Sequence, residues 1–396
     1  MKILVLNAGS SSLKWKLFAI ENTTVIASGL IEGILEERGL FHLNFQDKEL
    51  KSEQTIMDHN EAFTLLFKAL KTENIIDIKH DLDAIGHRVV HGGEKFIKPT
   101  LIENNVLTEL RTLSPLAPLH NPANILGIEI TSRVAPHIPN IAVFDTAFHH
   151  SMPEYAYLYA LPTALYKEHH IRRYGFHGTS HHYVALAAAR IHNTPLEELN
   201  LITLHLGNGA SACAIKNGKS VDTSMGFTPL EGLIMGTRSG DLDPAIITYL
   251  MEKESTTAKE IDTLLNRESG LKGICQENDL RTIIQRASND DRQAQLALEM
   301  FAYRIKKYIG SYIAVLGKVD AIVFTGGIGE HADLVRLMVL DGLDEAFGIV
   351  LDKKRNAGNE AGSIHQKESK VKLFIIPTNE ELAIAQACEK ALKTTK

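Results

Sequence analysis

Arg88 and Arg238 both stand among glycines, in Gly86-His-Arg-Val-Val-His-Gly-Gly93 and Gly236-Thr-Arg-Ser-Gly-Asp-Leu-Asp-Pro244. On such loops a guanidinium turns its planar fork to a carboxylate or phosphate; elsewhere it would usually make a surface ion pair. Asp145 follows a run, 140–144, that reads as a buried strand. Ligands gather at the C-terminal end of such strands, and the alternative for Asp145 is a helix N-cap. His205-Leu-Gly-Asn-Gly209 joins a buried-looking run to a short alternating one, as a hairpin turn that brings bare backbone N–H groups close to something, usually an anion. His177 and His181 share the i, i+4 spacing of a metal pair, as do His87 and His91, but no His-Glu-x-x-His pattern or third ligand accompanies either pair. His205 reads equally as a hydrogen-bonded strand residue and as a phosphate contact.

The elements that must position these groups form an α/β chain. Strands are expected at 2–6, 13–20, about 40–45, 83–90 and 140–144, with helical patterns at about 60–70, 108–113 and from the 119–124 segment to about 133. In the second half 172–181 reads as a loop and 182–192 as a helix, followed by the central hairpin. Helices are expected near 245–252, 257–266 and 290–316. A strand from Asp320 opens on Gly326-Gly-Ile-Gly-Glu330, a last strand covers 371–376, and 377–381 starts a terminal helix. A shift of two hundred positions lays Leu4 on Leu204, Gly9 on Gly209 and Ser11 on Ser211, and both Asp83-Ala-Ile and Asp320-Ala-Ile run on to a double glycine. These pairs suggest two related halves.

With 396 residues the chain should hold two or three domains, each with its own core. A net charge of −6 offers no basic field for nucleic acid. Three scattered cysteines fit a reduced compartment. Neither a signal segment nor an apolar run of the roughly 20 residues that span a membrane is evident, so a cytoplasmic protein is expected.

Taken together, Asn7-Ala-Gly-Ser-Ser-Ser-Leu-Lys14, His87-Arg-Val-Val-His-Gly-Gly93, Phe144-Asp-Thr-Ala-Phe-His149, Arg173-Tyr-Gly-Phe-His-Gly-Thr-Ser-His181, His205-Leu-Gly-Asn-Gly209, the Gly236 loop and Thr378-Asn-Glu-Glu381 resemble the acetate kinase family, in the family's order and over essentially the whole chain. The resemblance implies an α/β fold of the acetate and sugar kinase, Hsp70 and actin superfamily: two duplicated ribonuclease-H-like domains with the active site in the interdomain cleft. Residues 1–149 would form the acyl-substrate domain, joined by the C-terminal helix at about 381–396, and residues 150–380 the nucleotide domain. The implied activity is reversible, Mg²⁺-dependent transfer of the ATP γ-phosphoryl group to acetate, in line, giving acetyl phosphate and ADP; Mn²⁺ is a possible replacement. The family also implies a homodimer.

By resemblance Arg88 holds the substrate carboxylate, Arg238 and His177 stabilise the transferring group, and Asp145 is the catalytic carboxylate. Because a carboxylate acceptor is already ionised at neutral pH, Asp145 is expected to orient the metal and its waters rather than abstract a proton. Asn7 and Glu380 would hold the metal, with Glu381 the adjacent alternative. Val90, Leu119, Phe176 and Pro229 would line a small apolar pocket for the methyl group, with His120 a neighbour. Lys14, His205, Leu206, Gly207, Asn208 and Gly209 would meet phosphates, and Asp279, Leu280 and Arg281 the adenosine. Gly326, Gly327, Ile328, Gly329 and Glu330 would open a helix whose N-terminus can take an anion.

One methylene in an apolar pocket changes discrimination by only about 1–3 kcal/mol, so a propionate kinase is the alternative enzyme. An Hsp70-like or actin-like nucleotide switch would leave Arg88 and Arg238 without a role. Trp15 reads as core packing.

Overall fold

The structure, a computed structural model, describes residues 1–78, 80–118 and 120–394. It divides into two units, Met1–Ala147 with Asn379–Lys396, and Phe148–Thr378.

The first unit is built on strands β1 (Lys2–Ala8), β2 (Ser12–Ala19), β3 (Thr24–Glu32), β4 (Gly39–Phe45), β5 (Lys48–Gln54), β6 (Ala84–Val89), β7 (Thr100–Leu101) and β8 (Asn140–Phe144), in the order β5-β4-β3-β2-β1-β6-β8-β7. Ile3, Leu4, Val5 and Leu6 are all buried, so β1 is covered on both faces, as its unbroken apolar run requires. The sequence pattern shows neither β3 nor β5 clearly. β5, Lys48-Glu-Leu-Lys-Ser-Glu-Gln54, is the sheet's edge, where charge discourages pairing with other chains.

The second unit holds β9 (Asn200–Leu206), β10 (Ala210–Lys216), β11 (Lys219–Thr223), β12 (Ala321–Thr325), β13 (Gly362–Ser363) and β14 (Lys372–Ile375), in the order β11-β10-β9-β12-β14-β13. Its first five strands repeat the central order β3-β2-β1-β6-β8 of the other sheet: an antiparallel meander, then two parallel strands. The two aspartates noticed in the sequence do the same job. Asp83 exchanges hydrogen bonds with Lys2, accepting at its carboxylate (2.7 Å) and donating its own N–H to the Lys2 carbonyl (3.0 Å). Asp320 does so with Asn200, at 2.9 and 2.8 Å. Each aspartate thereby sets the register of a parallel strand against the opening strand of its hairpin.

The Glu380–Thr394 helix lays Ile384, Ala385 and Cys388 on the first sheet. It approaches so closely that a Cβ on Gly86 would stand 2.8 Å from the Cys388 sulfur. In the second unit Val184, Ala185 and Ala188 of the Gly178–His192 helix pack on the other sheet. That helix starts four residues earlier than the apolar pattern suggests. His177, at φ 55°, takes a left-handed conformation that ends the preceding loop, and the helix begins at the next residue. The expected helix at 257–266 is Ala258–Thr263 capped by Thr257, then a wider π turn at Leu264–Glu268. Trp15 is fully buried, with Gly29 giving room for its indole. Among the described residues no helix is long and apolar enough to cross a membrane.

Candidate functional site

In the first unit Asn7, Arg88 and Asp145 stand at the C-terminal ends of the adjacent parallel strands β1, β6 and β8. Arg88 donates from Nε (3.0 Å) and Nη2 (2.5 Å) to Oδ2 of Asp145, and from Nη1 to Oδ1 of Asn7 (3.3 Å). Asp145 is therefore more than a cap: its side chain is 1% exposed and anchors the guanidinium. Burial alone would lower the Arg88 pKa, but Asp145 and Glu380 outweigh it and raise it.

The terminal helix adds two carboxylates of opposite character. Glu381 takes Lys14 at 2.6 Å and Lys16 at 3.3 Å; burial works against its charge, yet these lysines hold it below the ordinary carboxylate range. Glu380 is pushed up to about 7, by burial first and then by Asp145 and Glu381, with Arg88 opposing. Its Oε2 is sealed from solvent without a hydrogen-bond partner among the described residues. An acid oxygen left in that state is a place for a cation or a proton. The Lys14–Glu381 pair was not anticipated, although the register of Lys14 against Asn7 could have placed that lysine beside the cluster.

Val90 directly follows β6. The Val90 N–H donates to Asn124 Oδ1 (3.1 Å), whose amide donates to the Ala8 carbonyl (2.7 Å), so one asparagine holds both loops. His120 immediately precedes the Asn121–Val134 helix. Leu119 lies outside the described residues.

In the second unit His177 and Arg238 meet over Gly209. A Cβ there would stand 3.5 Å from the His177 ring and 3.7 Å from Arg238 Nη1, so glycine leaves the space between turn and cation open. Arg238 Nη1 also donates to the Pro229 carbonyl at 3.0 Å, which steadies the side chain. His177 stacks on His205 with centroids 4.3 Å apart, and its Nδ1 is 2.9 Å from Ser211 Oγ. Buried Phe176 puts its carbonyl 2.9 Å from His149 Nε2. Both ring nitrogens of His181 are engaged by hydroxyls, Thr203 at 2.7 Å and Ser211 at 2.8 Å, so it does not present a metal-ligand pair with His177. Among the described residues no group of three or more His, Cys, Asp or Glu side chains is arranged to hold a metal.

The turn from Leu206 to Gly209 is clamped by Gly236, whose N–H donates to the Asn208 carbonyl (3.0 Å) and whose missing side chain makes room for Asn208 Oδ1. Asn278 Nδ2 reaches that same oxygen at 3.5 Å. This brings the Asp279-Leu-Arg281 segment beside the loop, with Asp279 capping the Leu280–Ser288 helix and pairing with Arg281 at 2.6 Å. Gly326, at φ +76°, starts a helix of only six residues, Gly326–His331, and its N–H donates to Glu330 Oε1 at 2.9 Å. Glu330 thus ties down the glycine loop from within.

Sequence reasoning missed Ser180, Thr203 and Ser211, the hydroxyls that hold the histidines. Thr203 and Ser211 lie on β9 and β10, which are buried almost throughout, and small hydroxyl residues in a buried strand read as packing.

The chain from residue 2 to residue 386 matches the acetokinase family model. It is 56% identical over 391 residues to an acetate kinase of Sulfurovum sp. (strain NBC37-1), covering 98% of each chain. Its structure superposes with a TM-score of 0.93 on a crystal structure of Porphyromonas gingivalis acetate kinase, at 43% identity and 99% coverage of both chains. A propionate kinase from Francisella tularensis subsp. tularensis SCHU S4 superposes with a TM-score of 0.93, at 42% identity and 98% coverage of both. The fold is accordingly that of the acetate kinases, α/β with two sheets whose central strand order repeats. With family motifs and fold in agreement over nearly its full length, the chain belongs to the acetokinase family.

Proposed function

We propose that the chain is an acetate kinase, transferring the γ-phosphoryl group of ATP reversibly to acetate. The observation that carries this reading is the pair of cation clusters, Arg88 set by Asp145 and Arg238 beside His177 over the open backbone of Gly209. Phosphoryl transfer passes through a loose transition state with charge on the equatorial oxygens, so fixed cations and hydrogen-bond donors do most of the work. Arg88 binds the acetate carboxylate, with Asn7 and Asp145 fixing its rotamer. Arg238 and His177 donate to the transferring group. The Asn208 loop and the Gly326 turn support the nucleotide phosphates, and the segment at Asp279 the adenosine. Lys14, held by Glu381, adds positive charge at the mouth of β1 and β2.

A divalent cation fits the first cluster. The enclosed, unpartnered Oε2 of Glu380 and the amide oxygen of Asn7 are hard donors, and Mg²⁺ is a hard ion that keeps most of its waters and asks few protein ligands. Bound there, it would neutralise phosphate charge. Asp145 would orient water around it while keeping Arg88 in place.

The residues that the family resemblance assigns to the methyl group, Val90, Leu119, Phe176 and Pro229 with His120, leave acyl size as the finer question. The likeness to a propionate kinase structure keeps propionate as the second reading. A homodimer is supported by the Ala245–Lys253 helix, Ala-Ile-Ile-Thr-Tyr-Leu-Met-Glu-Lys, which buries none of its residues despite its apolar sequence. The expected location is the cytoplasm.

The test is acyl phosphate formation from Mg-ATP with acetate, propionate and butyrate, trapped by hydroxylamine. Highest kcat/KM with acetate supports the proposal; preference for propionate changes the substrate; ATP hydrolysis without acyl phosphate overturns it.

A further inference from the structure

A line of polar side chains runs inward from His177 through the second unit: His177 Nδ1 to Ser211 Oγ (2.9 Å), Ser211 Oγ to His181 Nε2 (2.8 Å), and His181 Nδ1 to Thr203 Oγ1 (2.7 Å). Ser211, His181 and Thr203 are all fully buried. We propose that Thr203, His181 and Ser211 act as a positioning relay that fixes the tautomer of His177, leaving Nδ1 as an acceptor and the proton on Nε2. The inference rests on the reading of His177 as a donor to the transferring phosphoryl group, and concerns how that donor is made.

The direction follows from counting hydrogens. A serine hydroxyl carries one proton, so between two ring nitrogens Ser211 donates to one and accepts from the other. In the first arrangement Thr203 donates to His181 Nδ1, His181 Nε2–H donates to Ser211, and Ser211 donates to His177 Nδ1. Every buried group is then satisfied. In the reverse arrangement His177 Nδ1–H donates to Ser211, Ser211 to His181 Nε2, and His181 Nδ1–H to Thr203. The Thr203 hydrogen would then have no acceptor, for its hydroxyl makes no other hydrogen bond among the described residues. A buried donor left unpaired is unfavourable, so the first arrangement prevails. It also needs a neutral His181, and burial, with His149 and His205 nearby, holds that ring well below the ordinary histidine pKa.

The relay sets which hydrogen bond this histidine can offer. A neutral ring with its proton on Nε2 donates to a phosphoryl oxygen; the other tautomer would present a lone pair to it. The left-handed backbone of His177 and the stacked ring of His205 fix where the ring lies, and the relay fixes which nitrogen carries hydrogen.

Thr203→Val is the sharpest test, because it removes one hydroxyl at nearly constant shape and two side chains away from His177. Thr203→Ser restores the hydroxyl, and Ser211→Ala breaks the chain next to the ring. Long-range ¹⁵N–¹H spectra, assigned with His177→Gln, should show an unprotonated Nδ1 and protonated Nε2 for His177 in the native chain, and a mixture in Thr203→Val and Ser211→Ala. The kcat for acyl phosphate formation should fall about tenfold in both, with both KM values changed less than about threefold, and Thr203→Ser should recover. A native His177 protonated on Nδ1, or a Thr203→Val chain with native tautomer and native kcat, would overturn the relay. If the native chain forms no acyl phosphate, the functional reading fails, while the spectra still decide the tautomer.

Discussion

Arg88 aims two nitrogens, Nε and Nη2, at the single Oδ2 of Asp145, at 3.0 and 2.5 Å, and Asp145 is the more deeply buried of the two. Removing the arginine takes the guanidinium away from a buried anion, whereas removing the aspartate leaves a cation that is 22% exposed with Glu380 still nearby. Arg88→Ala should cost roughly 3 kcal/mol of stability and Asp145→Ala less, read from urea denaturation of both variants. Equal or reversed losses would argue against this account of the pair.

Arg238→Ala and His177→Ala should each lower kcat by about a hundredfold or more while changing the KM for acetate little. Steady-state assays over both substrates separate this from a loss of binding, which would raise KM instead.

Glu380 should respond to Mg²⁺ in the absence of nucleotide. Because its pKa is raised to about 7, the native state holds its proton more tightly than the unfolded chain does. Stability of the metal-free protein should fall as pH rises from about 4.5 to 7, and Glu380→Gln should remove that fall. Mg²⁺ should raise the melting temperature at pH 8 and much less at pH 6, since the carboxylate must lose its proton to bind. An undiminished Mg²⁺ effect in Glu380→Gln would exclude this residue as a ligand.

His87 titrates in the opposite sense. Burial pushes it down to about 4 although it donates to Asn140 at 2.8 Å, so the folded state prefers the neutral ring. Stability should be constant above about pH 6.5 and decline as pH falls towards 4, by up to about 3 kcal/mol. His87→Gln should flatten the part of this slope that His87 contributes, measured by urea midpoints at pH 7 and pH 5.

If copies of the chain associate through the apolar Ala245–Lys253 helix, charge placed there should separate them. Tyr249 is 62% exposed, and Tyr249→Glu should convert a dimer to monomers in sedimentation velocity without loss of helical content.

Much of this architecture is legible in the sequence. The two hairpins follow from apolar runs around glycine turns, and the repeated Asp-Ala-Ile proved to mark the same register device in both sheets. Arg88, Arg238 and Asp145 stood out because charge among glycines or at a strand end has no packing role. β5 escaped because an edge strand need not alternate, and the start of the Gly178 helix escaped because no propensity predicts a left-handed histidine. The hydroxyl relay was invisible for a different reason: serine and threonine are informative only once their partners are known, and those partners come from another strand and a helix.

The Glu380–Thr394 helix belongs to the unit formed by residues 1–147, whereas the other unit is a single uninterrupted stretch. During synthesis the sheet of the first unit must wait, with the surface around Gly86 bare, until more than two hundred further residues have been made. The second unit can settle meanwhile. The same segment that covers that surface carries Glu380 and Glu381, so the first cluster of charges is completed only once that helix has been made.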